Sequence, residues 1–367
     1  MAGKVPVTAV QARAYTIPTD APEADGTFAW DSTTLVVVHV LGGGATGLGF
    51  TYTNGCITGL IDKQLAQAVH GRDAMDVPGC WQAMLHQVRN IGREGLAATA
   101  ISAVDVALWD LKAKLLDLPL CRLLGMAREQ VTIYGSGGFT SYSDAQITEQ
   151  LGGWVAREGC RSVKMKIGTA PERDTHRVAV ARQAIGDAAL FVDANGAFSC
   201  KQALSFADRF AKFDVRWFEE PVSSDDLAGL RHVRERAPAG MDIAAGEYGY
   251  TPDYFRRMLA AEAVDVQQAD ASRCLGITGF LQAGALCEAH HTDLSGHCAP
   301  ALHLHAACAV PRFRNLEWFH DHVRIEHMLF DGAPIPHDGM IEPDLTRPGL
   351  GLAFKDQDAQ RFATASP

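Results

Sequence analysis

The chain has 367 residues, of which 47% are hydrophobic and 21% charged, the composition of an ordinary globular protein. Its formal net charge of −10 disfavours a nucleic-acid partner, and it has no apolar run long enough to span a membrane. Nine cysteines without CxxC pairing, together with the absence of a signal-peptide pattern, predict reduced thiols in a cytoplasmic protein.

The first third of the chain predicts a small α+β domain. TTLVVVHV and LGFTYT flank GGGATG and predict two strands joined by a turn, whereas Pro18 to Thr33 is the most loop-like interval. Helical periodicity follows over 57–68, 81–90 and, most strongly, 96–116. We expect an antiparallel sheet with a helical tail.

The run GGGATG also raises the possibility of a dinucleotide-binding site. Gly42, Gly44 and Gly47 form GxGxxG after an apolar strand, and Asp62 follows Gly42 by 20 residues. The run leads into a second predicted strand, however, where a helix would be needed to receive the pyrophosphate. A hairpin turn is the better interpretation, and an NAD-binding oxidoreductase is the remote alternative.

From Val131 onward, short apolar runs alternate with helical stretches. A repeat of strand and helix with this period predicts a (β/α)8-type barrel. The eight strand-like runs are VTIYGS, RSVKMK, ALFVDAN, DVRWFEE, MDIAAGE, AVDVQQAD, TDLSGH and FRNLEW.

Seven of these runs end in a residue suited to catalysis or metal binding. The steps between successive members range from 20 to 28 residues, the size of one strand–helix unit. Because active sites of such barrels lie at the carboxyl ends of the strands, the side chains should meet at one mouth. They are Lys166, Asp193, Glu219, Glu247, Asp270, His297 and Glu317.

Three of these residues predict a metal site. Asp193, Glu219 and Glu247 end three successive runs, and three converging carboxylates require a cation. A hard divalent ion, one Mg²⁺ per active site, is the natural choice. The alternative is three helix-capping or surface acids. Asn195, close to Asp193, could support the metal site or contact substrate.

Proton-transfer groups flank this predicted site. Lys164 and Lys166 share one face of their strand, about 7 Å apart. We expect Lys166 to be the base, with a pKa lowered by Mg²⁺ and by Lys164, and Lys164 to hold a substrate carboxylate. Asp270 and His297 form a candidate acid/base pair. Solvated lysines on an edge strand and an ordinary histidine are the alternatives.

The last strand contributes Glu317. A protonated carboxyl group there could donate a hydrogen bond to a substrate oxygen that gains charge. A buried structural ion pair is the alternative. With the metal site and the two proton-transfer groups, Glu317 completes a site for removing the proton next to a substrate carboxylate and stabilising the enediolate.

Taken together, the motifs resemble the enolase superfamily, mandelate racemase subgroup. They are KMK, VDAN, WFEEP, AAGE, QQAD, SGH and LEW, with the helix AISAVDVALWDLKAK and the late segment PDLTRPGLGL. The resemblance implies a modified TIM barrel, (β/α)7β, in residues 129–325. It implies an N-terminal α+β capping domain in residues 1–128, to which a C-terminal segment, 326–367, returns. It also implies a homo-oligomer.

The subgroup contains both acid-sugar dehydratases and racemases, and its capping-domain segments usually set specificity. The polar segment FTYTNGC suits a polyhydroxylated carboxylate substrate better than an aryl one. We therefore expect a dehydratase that forms a 2-keto-3-deoxy acid; a racemase or epimerase, or a cycloisomerase, is the alternative. Candidate substrate contacts are Asn195, Tyr52, Trp30 and Ser136.

Overall fold

In the computed structural model, which describes residues 3–364, the chain opens with an antiparallel meander. Its strands β1 (Val7–Ala24), β2 (Ala29–Gly42) and β3 (Ala45–Tyr52) pair in chain order. The expected loop over Pro18 to Thr33 is therefore mostly strand. The polar side chains of this interval favoured a loop in the sequence analysis. In the structure, a register shift after Pro18 lets β1 continue past the proline to Ala24.

A helical layer covers the sheet. Its longest helix crosses β3, and a Cβ added to Gly47 or Gly49 would lie within 2.1 Å of a carbonyl oxygen of that helix. The GGGATG glycines therefore form a hairpin turn and a close strand–helix contact, and no helix follows to receive a pyrophosphate. The helices are α1 (Ile57–Leu60), α2 (Ala66–Val69), α3 (Val77–Gln87), α4 (Leu96–Leu115) and α5 (Leu120–Leu124), with a π-helical turn (Ile61–Leu65) between α1 and α2.

Eight parallel strands follow and close into a barrel, since the last of them pairs with the first. They correspond to the eight predicted runs. Their side chains are buried along most of each strand, as expected when a parallel sheet is covered by helices. The strands are β4 (Val131–Gly137), β5 (Ser162–Lys166), β6 (Ala189–Asp193), β7 (Val215–Glu219), β8 (Asp242–Ala245), β9 (Val266–Ala269), β10 (Asp293–Gly296) and β11 (Phe313–Phe319).

Seven helices connect these strands, which confirms the predicted (β/α)7β barrel. Each crossover packs a helix on the outside and returns the chain to the same end of the next strand. The helices are α6 (Asp144–Glu158), α7 (Pro171–Ile185), α8 (Cys200–Phe210), α9 (Leu227–Arg234), α10 (Pro252–Ala260), α11 (Gly276–Ala289) and α12 (Pro300–Ala309).

After β11 the chain forms α13 (His320–Leu329) and then returns to the N-terminal sheet. Phe330 packs on Phe50 of β3 with ring centroids 4.6 Å apart, and the Thr364 amide donates to the Ala14 carbonyl over 3.0 Å. The short elements here are β12 (Phe330–Asp331), β13 (Met340–Ile341), β14 (Ala353–Phe354) and α14 (Asp356–Ala359). The expected boundary after residue 325 falls inside α13, and the exact domain limits remain predictions.

No helix within residues 3–364 is long and apolar enough to cross a membrane. All nine cysteines lie in this part of the chain, and none forms a disulfide.

Candidate active site

Three carboxylates meet at the carboxyl ends of neighbouring barrel strands. Asp193 and Glu219 are the last residues of β6 and β7, and Glu247 follows β8 by two residues. One carboxylate oxygen of each lies within 4.8 Å of the other two, and all three side chains are buried. The structure thus brings together the residues predicted to bind metal, which we call the carboxylate trio.

The carboxylate trio fits a magnesium ion by its chemistry. All three donors are hard anionic oxygens, and three buried carboxylates at this separation cannot all stay ionised without cations beside them. Lysine and histidine side chains supply that positive charge in the described chain. Lys166 Nζ lies 2.5 Å from Asp193 Oδ2, Lys164 Nζ lies 2.6 Å from Glu219 Oε1, and His297 Nε2 lies 3.2 Å from Glu247 Oε2.

The two lysines differ in surroundings although they share one face of β5. Lys164 is completely buried and also lies 2.9 Å from Glu317 Oε1 and 3.7 Å from Asp193 Oδ2. Within residues 3–364, Asp193 is the one carboxylate at ion-pair distance from Lys166. The expected lowering of the Lys166 pKa by Mg²⁺ stays a prediction, and the protein side chains alone shift this pKa upward. Burial and Lys164 lower the pKa, but Asp193 at 2.5 Å, aided by other carboxylates, holds it above its ordinary value.

His297 is oriented by a carboxylate, as predicted. It follows β10, and its Nδ1 lies 2.9 Å from Oδ2 of Asp270, which follows β9. The other oxygen of Asp270 accepts the Ser272 amide over 2.7 Å, so the carboxylate itself is held in place. With Nδ1 engaged, Nε2 faces the carboxylate trio. Lys166 and His297 therefore reach opposite members of the trio, Asp193 and Glu247.

Glu317 accepts hydrogen bonds through both carboxylate oxygens, and its role as a protonated donor to substrate stays a prediction. Its Oε1 accepts from the Ser136 hydroxyl at 2.5 Å and from Lys164 at 2.9 Å, and its Oε2 accepts from the Cys298 amide at 3.1 Å. Burial would raise the pKa of Glu317, but Lys164 and His297 lower it well below its ordinary value. Ser136, predicted to contact substrate, is fully buried, and its hydroxyl donates a hydrogen bond to Glu317.

Cys298 is a site residue that the sequence analysis missed. Its Sγ lies 3.3 Å from His297 Nε2 and 3.4 Å from Glu317 Oε2, and its backbone has a left-handed φ of 52°. It packs in an apolar group with Phe139 and Phe319, with Trp30 against them. Its position directly after His297 was the one available hint, since a residue that follows a strand-end catalytic group shares the barrel mouth.

The other three residues predicted to contact substrate lie in different surroundings. Trp30 lies in β2 and packs edge-on against Phe139, with ring centroids 5.7 Å apart. Tyr52, at the end of β3, is buried with its ring stacked on His322 at 3.6 Å. Asn195 lines a cavity of about 410 Å³, and its side-chain oxygen has no hydrogen-bond partner within residues 3–364.

Two family descriptions match this chain. Residues 10–125 match the mandelate racemase/muconate lactonizing enzyme N-terminal domain, and residues 146–359 match the enolase C-terminal domain-like family. The chain belongs to the mandelate racemase/muconate lactonizing enzyme family. The resemblance drawn from its motifs is confirmed.

Characterised members of this family resemble the chain over most of its length. It is 35% identical to the 3,6-anhydro-alpha-L-galactonate cycloisomerase of Streptomyces coelicolor, over 87% of this chain and 88% of the relative. It is 32% identical to the L-talarate/galactarate dehydratase of Salmonella typhimurium, over 86% and 78%. A solved structure of a racemase from Streptomyces coelicolor with bound magnesium superimposes with a TM-score of 0.92 at 32% identity, over 98% of this chain and 100% of that one.

Proposed function

We propose that this protein is a magnesium-dependent dehydratase that converts an acid sugar to a 2-keto-3-deoxy acid. The observation that carries the proposal is the placement of two proton-transfer groups around the carboxylate trio. Lys166 contacts Asp193 and His297 contacts Glu247, so each could act on a different face of a substrate bound between them. Relatives that dehydrate or isomerise sugar acids support the same class of chemistry.

Asp193, Glu219 and Glu247 would hold the magnesium ion, which when bound would supply a Lewis acid for the negative charge that develops on the substrate carboxylate. Lys164, with its ammonium group between Glu219 and Glu317, would stabilise the same charge. Lys166 becomes a base only when another cation neutralises Asp193, because in its present contact it is held as an ammonium.

The reaction would then proceed in two proton transfers. Lys166 Nζ takes the proton from the carbon next to the carboxylate, which leaves an enediolate. His297, protonated on both nitrogens and held by Asp270 at Nδ1, gives its Nε2 proton to the β-hydroxyl, which departs as water. The resulting enol converts to the 2-keto-3-deoxy acid. Both transferred protons are accounted for by these two side chains.

Cycloisomerisation is the second candidate, because a cycloisomerase is among the relatives with long coverage. It would start with the same removal of the proton next to the carboxylate, which the same residues could support. The group expelled would then be a ring oxygen, so no water is released. A racemase would instead return the proton to the opposite face. The three outcomes differ in product, so one assay separates them.

The test is a magnesium-dependent screen of mono- and diacid sugars and their anhydro and lactone forms. Dehydration gives a 2-keto acid with loss of one water by mass, cycloisomerisation gives a product of unchanged mass, and racemisation changes only the optical rotation. We expect the first outcome, abolished by Lys166→Ala and retained by Lys201→Ala, which alters an exposed lysine on α8. A mass-neutral product from every accepted substrate would overturn the dehydratase assignment.

A further inference from the structure

A second group of metal-ligating side chains lies where the N-terminal sheet meets the barrel. Asp20 and Glu23 come from β1, and His320 begins α13. One ligand atom of each lies within 4.8 Å of the other two, and His320 Nε2 is 3.1 Å and 3.0 Å from the two carboxylate oxygens of Asp20. We call these three residues the seam cluster.

Glu23 is the member of the seam cluster that a simple ion pair does not explain. Its side chain is 1% exposed, and its Oε2 accepts the Trp30 indole N–H over 2.8 Å. Its Oε1 is buried and has no hydrogen-bond partner within residues 3–364. Burial, with repulsion from Asp321, raises the pKa of Glu23 to about 8. A buried carboxylate oxygen left without a partner is costly and indicates a missing cation or donor.

The nearby positive charge is already engaged. Arg324 donates to Asp321 Oδ1 through two nitrogens, at 3.0 Å and 2.5 Å, and to the Pro18 carbonyl at 2.7 Å. Asp321 is itself fully buried, and its Oδ2 has no partner in the described chain. Asp20, Glu23 and Asp321 thus have only one guanidinium group and one histidine beside them within the described chain, so the carboxyl groups around the seam cluster outnumber the cations.

We propose that Asp20, Glu23 and His320 bind a divalent transition-metal ion of the Zn²⁺ type, at a site separate from the carboxylate trio. One imidazole nitrogen with two carboxylate oxygens favours Zn²⁺ or Co²⁺, whereas an all-oxygen set favours Mg²⁺. Tetrahedral zinc ligands about 2.0–2.2 Å from the ion lie about 3.3–3.6 Å apart, so the 3.0 Å between His320 Nε2 and Asp20 Oδ2 would widen by a few tenths of an ångström on binding. Asp20 is exposed and lines an open cavity of about 630 Å³, which leaves a path for the ion.

The site would tie the N-terminal sheet to the barrel beside the catalytic mouth. Glu23 holds the indole of Trp30, and Trp30 packs on Phe139 in the apolar group that includes Cys298. A metal ion bound to Glu23 and His320 therefore fixes the position of Trp30 relative to the barrel. This role does not depend on which reaction the carboxylate trio supports.

The experiment is a Co²⁺ titration of the EDTA-treated full chain, read by calorimetry and by the visible absorption of the bound ion. Wild-type protein should bind two equivalents, one at each site. His320→Gln should bind one equivalent, or bind the second at least about tenfold more weakly. Removing a residue that only supports a metal ligand typically weakens metal binding about 10–100-fold, and removing a ligand should weaken it at least as much. Asp193→Asn, which damages the carboxylate trio, should keep the seam equivalent.

The matched control is His176→Gln. His176 also pairs with an aspartate, Asp144, at 2.7 Å, but its imidazole is more exposed than that of His320, and within residues 3–364 no third ligand lies beside the pair. This variant should bind two equivalents. Asp20→Asn, a change at an exposed position, and Glu23→Gln should reproduce the His320→Gln loss. Equal stoichiometry and affinity in wild type and His320→Gln, or an equal loss in His176→Gln, would overturn the proposal.

Discussion

Replacing Lys164 should destabilise the metal-free protein more than almost any other single change at the barrel mouth. Its ammonium group lies 2.6 Å from Glu219, 2.9 Å from Glu317 and 3.7 Å from Asp193, and it is fully buried. Removing one partner of a buried ion pair costs about 3–5 kcal/mol because the remaining charge is left uncompensated. Lys164→Met keeps much of the stem volume, so the loss of charge dominates. We expect a decrease of about 3–5 kcal/mol in the free energy of unfolding.

The measurement is urea unfolding in EDTA at pH 7, followed by far-ultraviolet circular dichroism and by tryptophan fluorescence so that coincident transitions test two-state behaviour. Lys201→Met is the control, since Lys201 is an exposed residue of α8 and should change stability by no more than about 0.5 kcal/mol. Lys164→Met as stable as this control in EDTA would refute the electrostatic account of the mouth.

Magnesium provides an internal check on the same variant. A cation bound by the carboxylate trio would take over part of the charge balance that Lys164 provides. Saturating magnesium should therefore stabilise Lys164→Met more than wild type, with a gain that follows RT ln(1 + [Mg²⁺]/Kd). A smaller magnesium effect in the variant would contradict the assignment of the trio as the metal site.

Two further predictions concern buried aspartates. Asp270→Asn should lower kcat by about 10²–10⁴-fold with little change in KM, because the amide orients His297 less well. Asp293→Asn, at the opposite end of β10 from His297, is the kinetic control. A change in KM alone would contradict the orienting role of Asp270. Burial raises the pKa of Asp105 to about 7, so between pH 4 and pH 7 the folded protein keeps a proton that the unfolded chain has lost. Wild-type stability should then fall relative to Asp105→Asn by about 1.4 kcal/mol per pH unit as pH rises, measured by urea unfolding; parallel pH profiles would exclude the shift.

The barrel was predictable because its pattern is local. Each strand is a short apolar run, and each functional residue stands at the end of its run, so spacing along the chain determines which side chains meet. Asp193, Glu219 and Glu247 come together for this reason, as do Asp270 and His297.

What could not be predicted depends on contacts between distant segments. The hydrogen-bond partners of Glu317 are Lys164, Ser136 and the Cys298 amide, which approach it from three other parts of the chain. The Lys166 pKa likewise depends on the distance to Asp193. The polar end of β1 was predicted to be a loop. Its pairing with β2 and the register shift after Pro18 are visible only in the paired sheet.

The central claim, that Lys166 removes the proton next to a substrate carboxylate, is tested most directly by proton NMR in D₂O. Wild-type protein with magnesium and an acid sugar accepted in the screen should give solvent deuterium at the α-carbon of recovered substrate, or a 2-keto-3-deoxy acid deuterated at C3. Lys166→Ala should give neither product. Full turnover by Lys166→Ala would contradict the account.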